Sequence, residues 1–156
     1  VSDPAIREAT PADLEAIVRL HEADAVGGHG DVWTEENRSA YEAAFHALAA
    51  HPDHRLHVAE EGGRIVGTFL LSFLPGLTGI GALHAELRAV QVRSDLRSQG
   101  IGARMVAFAE AEARRRGAAV IELTSNLKRV EAHRFYERLG YAKSHAGFKK
   151  KLGPAR

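Results

Sequence analysis

Between residues 87 and 116 an extended apolar run, a glycine-bearing turn and a long amphipathic helix follow one another directly, and that order leaves few folds open. The run Leu-Arg-Ala-Val-Gln-Val (87–92) has strand character, and Met105, Val106, Ala109 and Ala113 mark one face of a helix that starts near Gly100. Arg97-Ser98-Gln99-Gly100-Ile101-Gly102 lies between them. Backbone N–H groups at a helix start have no intrahelical acceptor and carry partial positive charge, and glycine removes side chains that would hold an oxyanion away. Such a turn suits a pyrophosphate. An ordinary strand-to-helix connection that uses glycine for backbone freedom has the same form.

The flanking residues separate three phosphate motifs. A P-loop closes on Gly-Lys-Ser/Thr, whereas Gly102 is followed by Ala103-Arg104. A dinucleotide fingerprint places a third glycine where Met105 stands, so Glu122, spaced like a ribose-binding acid, reads as a coincidence. What remains is Arg97-x-x-Gly100-x-Gly102 after Val90-x-Val92, which resembles the acyl-CoA pyrophosphate loop of the GNAT acetyltransferase superfamily. Downstream, Ala132-His133-Arg134-Phe135-Tyr136-Glu137-Arg138-Leu139-Gly140-Tyr141 follows a strand-like Val120-Ile121-Glu122-Leu123-Thr124 and is similar to that superfamily's closing motif. The resemblance covers residues 86–152.

The resemblance implies an α/β (α+β) fold with a central mixed, mostly antiparallel sheet flanked by about four helices, in one domain spanning 1–156. It implies an N-acetyltransferase that moves an acetyl group from acetyl-CoA to a primary amine, expected to be a small molecule, by direct attack in a ternary complex. A protein or peptide N-acetyltransferase and a non-catalytic acyl-CoA sensor are the alternatives. In the cofactor site it implies, the backbone of Gln99, Gly100, Ile101, Gly102 and Ala103, with Ser98, surrounds the pyrophosphate. Arg97 adds charge, and Val90, Gln91 and Val92 meet the pantetheine arm and the acetyl group through main-chain groups. Many members carry an asparagine where this chain has Arg129, and Asn126 is the candidate to hold the arm instead.

The same resemblance puts Tyr136 at the leaving sulfur. A phenol near 10 is a weaker acid than a thiol near 8.5, so full proton transfer to the thiolate is uphill by roughly 2 kcal/mol and a hydrogen bond is the expected role. Glu86, at the start of the middle strand, is the candidate base, directly or through a water. It shares a strand face with Arg88 by period-two alternation, so a structural Glu86–Arg88 ion pair is the competing reading. His133 faces either cofactor or solvent. His29 and Trp33 lie between the first two helices, where members of the superfamily form an acceptor wall, or else belong to an ordinary surface loop.

Composition narrows the class further. With 156 residues, 45% hydrophobic and a net charge of +1, the chain has enough apolar material for a full core and no electrostatic reason to bind nucleic acid. Arg114-Arg115-Arg116 and Lys149-Lys150-Lys151 read as a solvated helix end and terminal segment. The absence of cysteine excludes disulfides, thiolate-ligated zinc and a cysteine nucleophile, and is compatible with the cytoplasm. Val1-Ser2-Asp3-Pro4 shows no secretory pattern, and the apolar stretch 65–74 is too short to cross a bilayer. No metal is expected: His51, His54 and His57 are spaced by three, but Pro52 breaks any helix that would align them. Acetyl-CoA and an amine acceptor are the expected partners, and a homodimer is compatible with the superfamily.

The remaining pattern alternates. Strands are expected at 5–8, 56–60, 64–73, 83–92, 120–124 and 144–151. Helices are expected from Thr10-Pro11-Ala12-Asp13 to His21, broken by Gly27-Gly28-His29-Gly30, then from Thr34 to Pro52, from Gly100 to Arg116, and over 129–139.

Overall fold

The structure is a computed structural model and describes residues 3–26 and 28–154. Val1, Ser2 and Gly27, the first glycine of the expected helix break, lie outside the described residues. The chain falls into two compact units, Val1–Leu123 and Thr124–Arg156, taken here in turn.

The first unit runs β1 (Ala5–Glu8), a 3-10 turn (Pro11–Asp13), α1 (Leu14–Glu22), α2 (Glu35–Ala50), β2 (His54–Glu61), β3 (Arg64–Leu74), α3 (Thr78–Gly81), β4 (His84–Val92), a 3-10 turn (Ser94–Leu96), α4 (Ile101–Arg115) and β5 (Val120–Glu122). The strands lie in chain order in one sheet. All neighbours are antiparallel except β5, which runs parallel to β4. This is the mixed, mostly antiparallel sheet expected from the sequence.

Local chemistry sets the boundaries. Thr10 and Asp13 form a capping box with Pro11 at the first helical position. The Asp13 carboxylate accepts from Thr10 N at 2.8 Å and from Arg7 Nη1 and Nη2 at 2.7 and 3.0 Å, which ties β1 to the start of α1. Thr34 Oγ1 caps α2 by accepting from Asn37 N at 3.2 Å. The β2–β3 turn uses Gly62 and Gly63, both at positive φ, which glycine adopts without strain.

Helices cover both faces of the sheet. On one, Leu14 and Val18 of α1 and Phe45 of α2 form a cluster against Leu56, Trp33 and Tyr41. On the other, α4 buries Ile101, Met105, Val106, Ala109 and Ala113 and packs on β3 and β4. These include all four residues that mark its apolar face in sequence, and each large side chain so buried is worth about 1.5–3 kcal/mol. The approach is closest at Gly67, where a Cβ would stand 2.7 Å from Met105 Sδ. His57 and Phe69 stack at 4.8 Å on the same face, with Phe108 of α4 edge-on to both.

Two expectations need correction. Between the strands expected at 64–73 and 83–92, where the sequence pattern assigns no element, the chain forms one turn, α3, in which Gly79, Ile80 and Gly81 are all left-handed. In the second unit α5 (Val130–Arg138) forms as expected, but residues 144–151 form no strand. A strand exists only through ladder hydrogen bonds to a partner. Among the described residues of this unit there is no other strand, and every residue from 144 to 151 is exposed. β5 likewise stops at Glu122, short of Thr124, where its pairing with β4 ends.

Candidate active site

The register between β3 and β4 breaks once. Leu70 pairs with Arg88 and Thr68 with Gln91, so Ala89 and Val90 together oppose Phe69, and Ala89 takes a left-handed φ of 51°. This bulge leaves main-chain groups of β4 outside the ladder. The opposite edge of β4 is open as well. β5 pairs only with His84, Ala85 and Glu86, so from Leu87 to Val92 that edge has no strand partner in the unit. An extended ligand arm can therefore add to β4 as a strand would, and Val90, Gln91 and Val92 lie in this open stretch.

The chain then enters the glycine turn. Ser98 and Gly100 both have positive φ, at 62° and 88°, and Arg104 N to Gly100 O at 3.1 Å is the first bond of α4. The amides of Ile101, Gly102 and Ala103 precede that bond and have no intrahelical acceptor. Where α1 and α2 carry Glu15, Glu35 and Glu36 in their first turns, the first turn of α4 has no acid. Its positive end is therefore not offset by an acidic side chain of its own first turn. Arg97, Ser98, Gln99 and Gly100 are exposed, and Arg97 Nε donates back to Val92 O at 3.4 Å, holding its guanidinium between the turn and the end of β4. Within this unit Val90 to Val92 and Arg97 to Ala103 therefore follow one another along the end of β4 and the start of α4.

Residues paired across a sheet share a face, so Glu86 and Arg88 lie on the α1 side, opposite Ser72 and Leu70. Arg88 Nε stands 3.4 Å from Glu86 Oε1, with the Arg88 side chain 64% exposed and that of Glu86 33% exposed. The ion pair forms, yet the carboxylate stays accessible. Gln91 faces the same side: its side chain is buried and its Nε2 donates to Asp24 Oδ2 at 2.9 Å, tying β4 to the segment after α1. That segment is pinned further by Tyr41, whose hydroxyl donates to Asp31 Oδ1 at 3.0 Å and accepts from Val32 N at 3.2 Å. Trp33 stacks on Tyr41 and joins the core cluster, while His29 is exposed. His21 is pushed below the usual histidine range by burial, opposed by the nearby Asp31 and Asp24.

Sequence reasoning missed three features. Asp24 showed no pattern. Ala89 is left-handed without being glycine. Glu122, set aside as a coincidence, stands in register with Glu86 across the parallel β4–β5 pair and lies 3.8 Å from His84 Nδ1, so a second carboxylate joins this face.

In the second unit, the Tyr136 ring is edge-on to Phe135 and Tyr141 at 5.0 and 5.8 Å. Burial, weakly opposed by Arg129, raises its phenol above the ordinary tyrosine range. The group is therefore a hydrogen-bond donor and a still poorer acid than free tyrosine. Asn126 builds the turn before α5: its Oδ1 accepts from Lys128 N at 2.9 Å and its carbonyl from Arg129 N at 2.9 Å. His133 Nε2 also donates to that carbonyl at 2.9 Å, so His133 is anchored within its own unit. Among the described residues the side-chain amide nitrogen of Asn126 has no such partner.

Of the three spaced histidines, His57 turns away from the other two. The His51 and His54 rings lie 4.5 Å apart and tilted by 43°, His54 Nδ1 bonds Ser72 Oγ at 2.8 Å, and His57 turns to Phe69 on the opposite face. Among the described residues no group of three or more His, Asp or Glu is placed to hold a metal, and no helix is long and apolar enough to cross a membrane.

Comparison with known proteins identifies the family and the fold. The model of the Acetyltransferase (GNAT) family matches residues 14–141. An aminoalkylphosphonate N-acetyltransferase of Salmonella typhimurium is 37% identical over 121 residues, 76% of this chain and 76% of that protein. A crystal structure from Bacillus halodurans described as a transcriptional regulator superposes with a TM-score of 0.92 at 36% identity, covering 96% of this chain and 99% of the other. A putative acetyltransferase from Agrobacterium tumefaciens gives 0.82 at 27% identity, covering 95% and 99%. The chain belongs to the GNAT family and is an acyltransferase.

Proposed function

We propose that this enzyme transfers the acetyl group of acetyl-CoA to the primary amine of a small molecule that also carries an acidic group. The observation that carries the reading is the continuity of the open, bulged edge of β4 with the acid-free start of α4, which fits an extended arm ending in a pyrophosphate. Asn126 is proposed to contact the arm through its free amide nitrogen. The acceptor class follows from charge: Glu86 and Glu122 offer carboxylates to an ammonium, and the exposed Arg88 guanidinium beside them offers donors to an anion. The Salmonella relative, named for aminoalkylphosphonates, supports an acceptor of this kind.

In this mechanism Glu86 takes a proton from the acceptor ammonium, whose pKa near 10 keeps it charged at neutral pH, directly or through a water. The freed amine attacks the thioester carbon, forming a C–N bond. Backbone N–H groups released by the bulge near Val90 to Val92 stabilise the oxyanion, and the C–S bond then breaks. Tyr136 donates a hydrogen bond to the departing thiolate, which takes up the proton that the attacking nitrogen loses as the amide forms, and CoA leaves as the thiol. No covalent enzyme intermediate is needed, because holding donor and acceptor together supplies the proximity.

The test is thiol release from acetyl-CoA over matched amines ending in phosphonate, carboxylate or methyl. Acid-bearing amines should react fastest. Glu86→Gln and Tyr136→Phe should lower kcat by about 10²-fold or more with acetyl-CoA binding retained, and Arg88→Gln should raise KM for acid-bearing amines alone. Cofactor binding without thiol release on any amine would refute the catalytic reading and favour a sensor.

A further inference from the structure

On the α4 face of the sheet, at the C-terminal end of α4, lies a cavity of about 310 Å³. The 15 residues of α4 separate it from the glycine turn by about 22 Å. Its apolar floor is Leu71 and Phe73, and three guanidiniums reach it, from Arg55, Arg115 and Arg116.

Each guanidinium is held by the protein but not used up. Arg55 bonds Glu8 Oε1 through Nε at 3.2 Å and the His51 and His54 carbonyls through Nη1, leaving Nη2. Arg116 bonds Pro52 O through Nη1 at 3.3 Å and Asp53 Oδ1 through Nη2 at 2.9 Å, and lies 4.0 Å over the Phe73 ring, leaving Nε. Arg115 bonds Glu112 through Nε and Nη2, leaving Nη1. The two carboxylates on the wall, Glu8 and Glu112, are thus already committed.

His57 completes the wall and is only 5% exposed. Its Nδ1 lies 3.1 Å from Arg55 O. A carbonyl oxygen only accepts, so Nδ1 carries the hydrogen and the neutral ring keeps a bare lone pair on Nε2. Nε2 has no partner among the described residues. The charged groups around the ring are Glu8 from β1, Arg55 from β2, and Glu112, Arg115 and Arg116 from α4 and its end. Burial outweighs their influence and holds the imidazole below its usual range.

The cavity therefore presents spare donors on three guanidiniums and one acceptor that needs a hydrogen. Sulfate and carboxylates have no hydrogen to give near neutrality, and an ammonium has no acceptors. We propose that this cavity binds a singly protonated phosphorus oxyanion, hydrogen-bearing phosphate or an alkylphosphonate, whose P–OH donates to His57 Nε2 while its other oxygens accept from Arg55, Arg115 and Arg116. The volume of about 310 Å³ leaves room beside the anion for a short alkyl group. The inference does not rest on the proposed acceptor chemistry, since the site lies on the other face of the sheet.

The test is calorimetric titration with inorganic phosphate, methylphosphonate and sulfate at pH 7.5. The protein carries Arg88→Gln and is saturated with CoA, so that neither the β4 face nor the glycine turn contributes. Phosphate and methylphosphonate should bind and sulfate at least about tenfold more weakly, as one lost hydrogen bond requires. Tighter binding of methylphosphonate than of phosphate identifies the alkyl-bearing ligand, and the reverse order identifies free phosphate. His57→Phe, which keeps the ring stack, should weaken phosphate about tenfold and abolish the preference over sulfate, and the exposed Arg115→Gln should weaken both anions alike. No binding, equal affinity for sulfate, or unchanged binding in Arg115→Gln would overturn the proposal. Should His57→Phe misfold, the last two measurements still decide it.

Discussion

Gly100 allows charge and shape to be separated at the glycine turn. Its φ of 88° and ψ of −4° are left-handed, and a Cβ built there meets nothing within 4 Å. Replacement thus costs backbone strain but no clash. For most residues that strain is about 1–2 kcal/mol, and it is smaller for Asn and Asp, which adopt this conformation more readily. An aspartate at the start of α4 also gains about 0.3–1 kcal/mol from the helix dipole, since no other acid occupies its first turn. Gly100→Asp and Gly100→Asn should both unfold within about 1 kcal/mol of the parent, a shift of about 2–4 °C in Tm for a chain of this size.

Binding should respond quite differently. A carboxylate about 4 Å from one pyrophosphate charge, at an effective dielectric near 20, is repelled by about 4 kcal/mol, and physiological salt reduces this to about 2–4 kcal/mol. Gly100→Asp should therefore weaken acetyl-CoA by roughly 30- to 1,000-fold, while the nearly isosteric Asn variant loses only what its bulk costs. Calorimetry at two ionic strengths measures both, and the gap between Asp and Asn should narrow as salt rises. If the two variants weaken binding equally, or if the gap ignores salt, the pyrophosphate does not sit at this helix start.

The other predictions concern the scaffold. Asp13→Asn removes the charge that two Arg7 nitrogens share and should cost about 2 kcal/mol, allowing for the partial exposure of Arg7. Arg7 and Thr10 hold the Asp13 carboxyl below its ordinary range, so its contribution is present above that range and lost as pH falls through the lowered value. Urea titrations of parent and variant should accordingly converge in strong acid. Burial depresses His21 and His57, so the unfolded chain takes up protons first, and unfolding free energy should fall as pH drops below about 6.5. Gly67→Ala drives a Cβ toward Met105 Sδ and within 3.2 Å of Gln91 O, and should cost about 1–3 kcal/mol. Paired with Met105→Ala it should cost less than the sum of the two single changes, and strict additivity in urea unfolding would contradict that contact.

What the sequence discloses here depends on how far apart the interacting residues lie. The Thr10–Asp13 capping box, the Gly62-Gly63 turn and the buried face of α4 are each contained within a few turns of chain, and the structure places them where the pattern predicts. The bulge at Ala89 belongs to no local pattern, because alanine has no preference for a left-handed φ; it arises from the register in which β4 meets β3. The pairing of Glu86 with Glu122 depends on a parallel register across 36 positions of sequence, and the Asp24–Gln91 bond on a contact across 67. Both lie beyond a reading based on periodicity. The histidines show the same logic in reverse. An odd spacing in a strand puts two residues on opposite faces, so once β2 begins at His54, His57 must point away from it: His54 goes to Ser72 and His57 to Phe69 and Phe108. The same alternation places His57, alone of the three, in the wall of the cavity at the C-terminal end of α4.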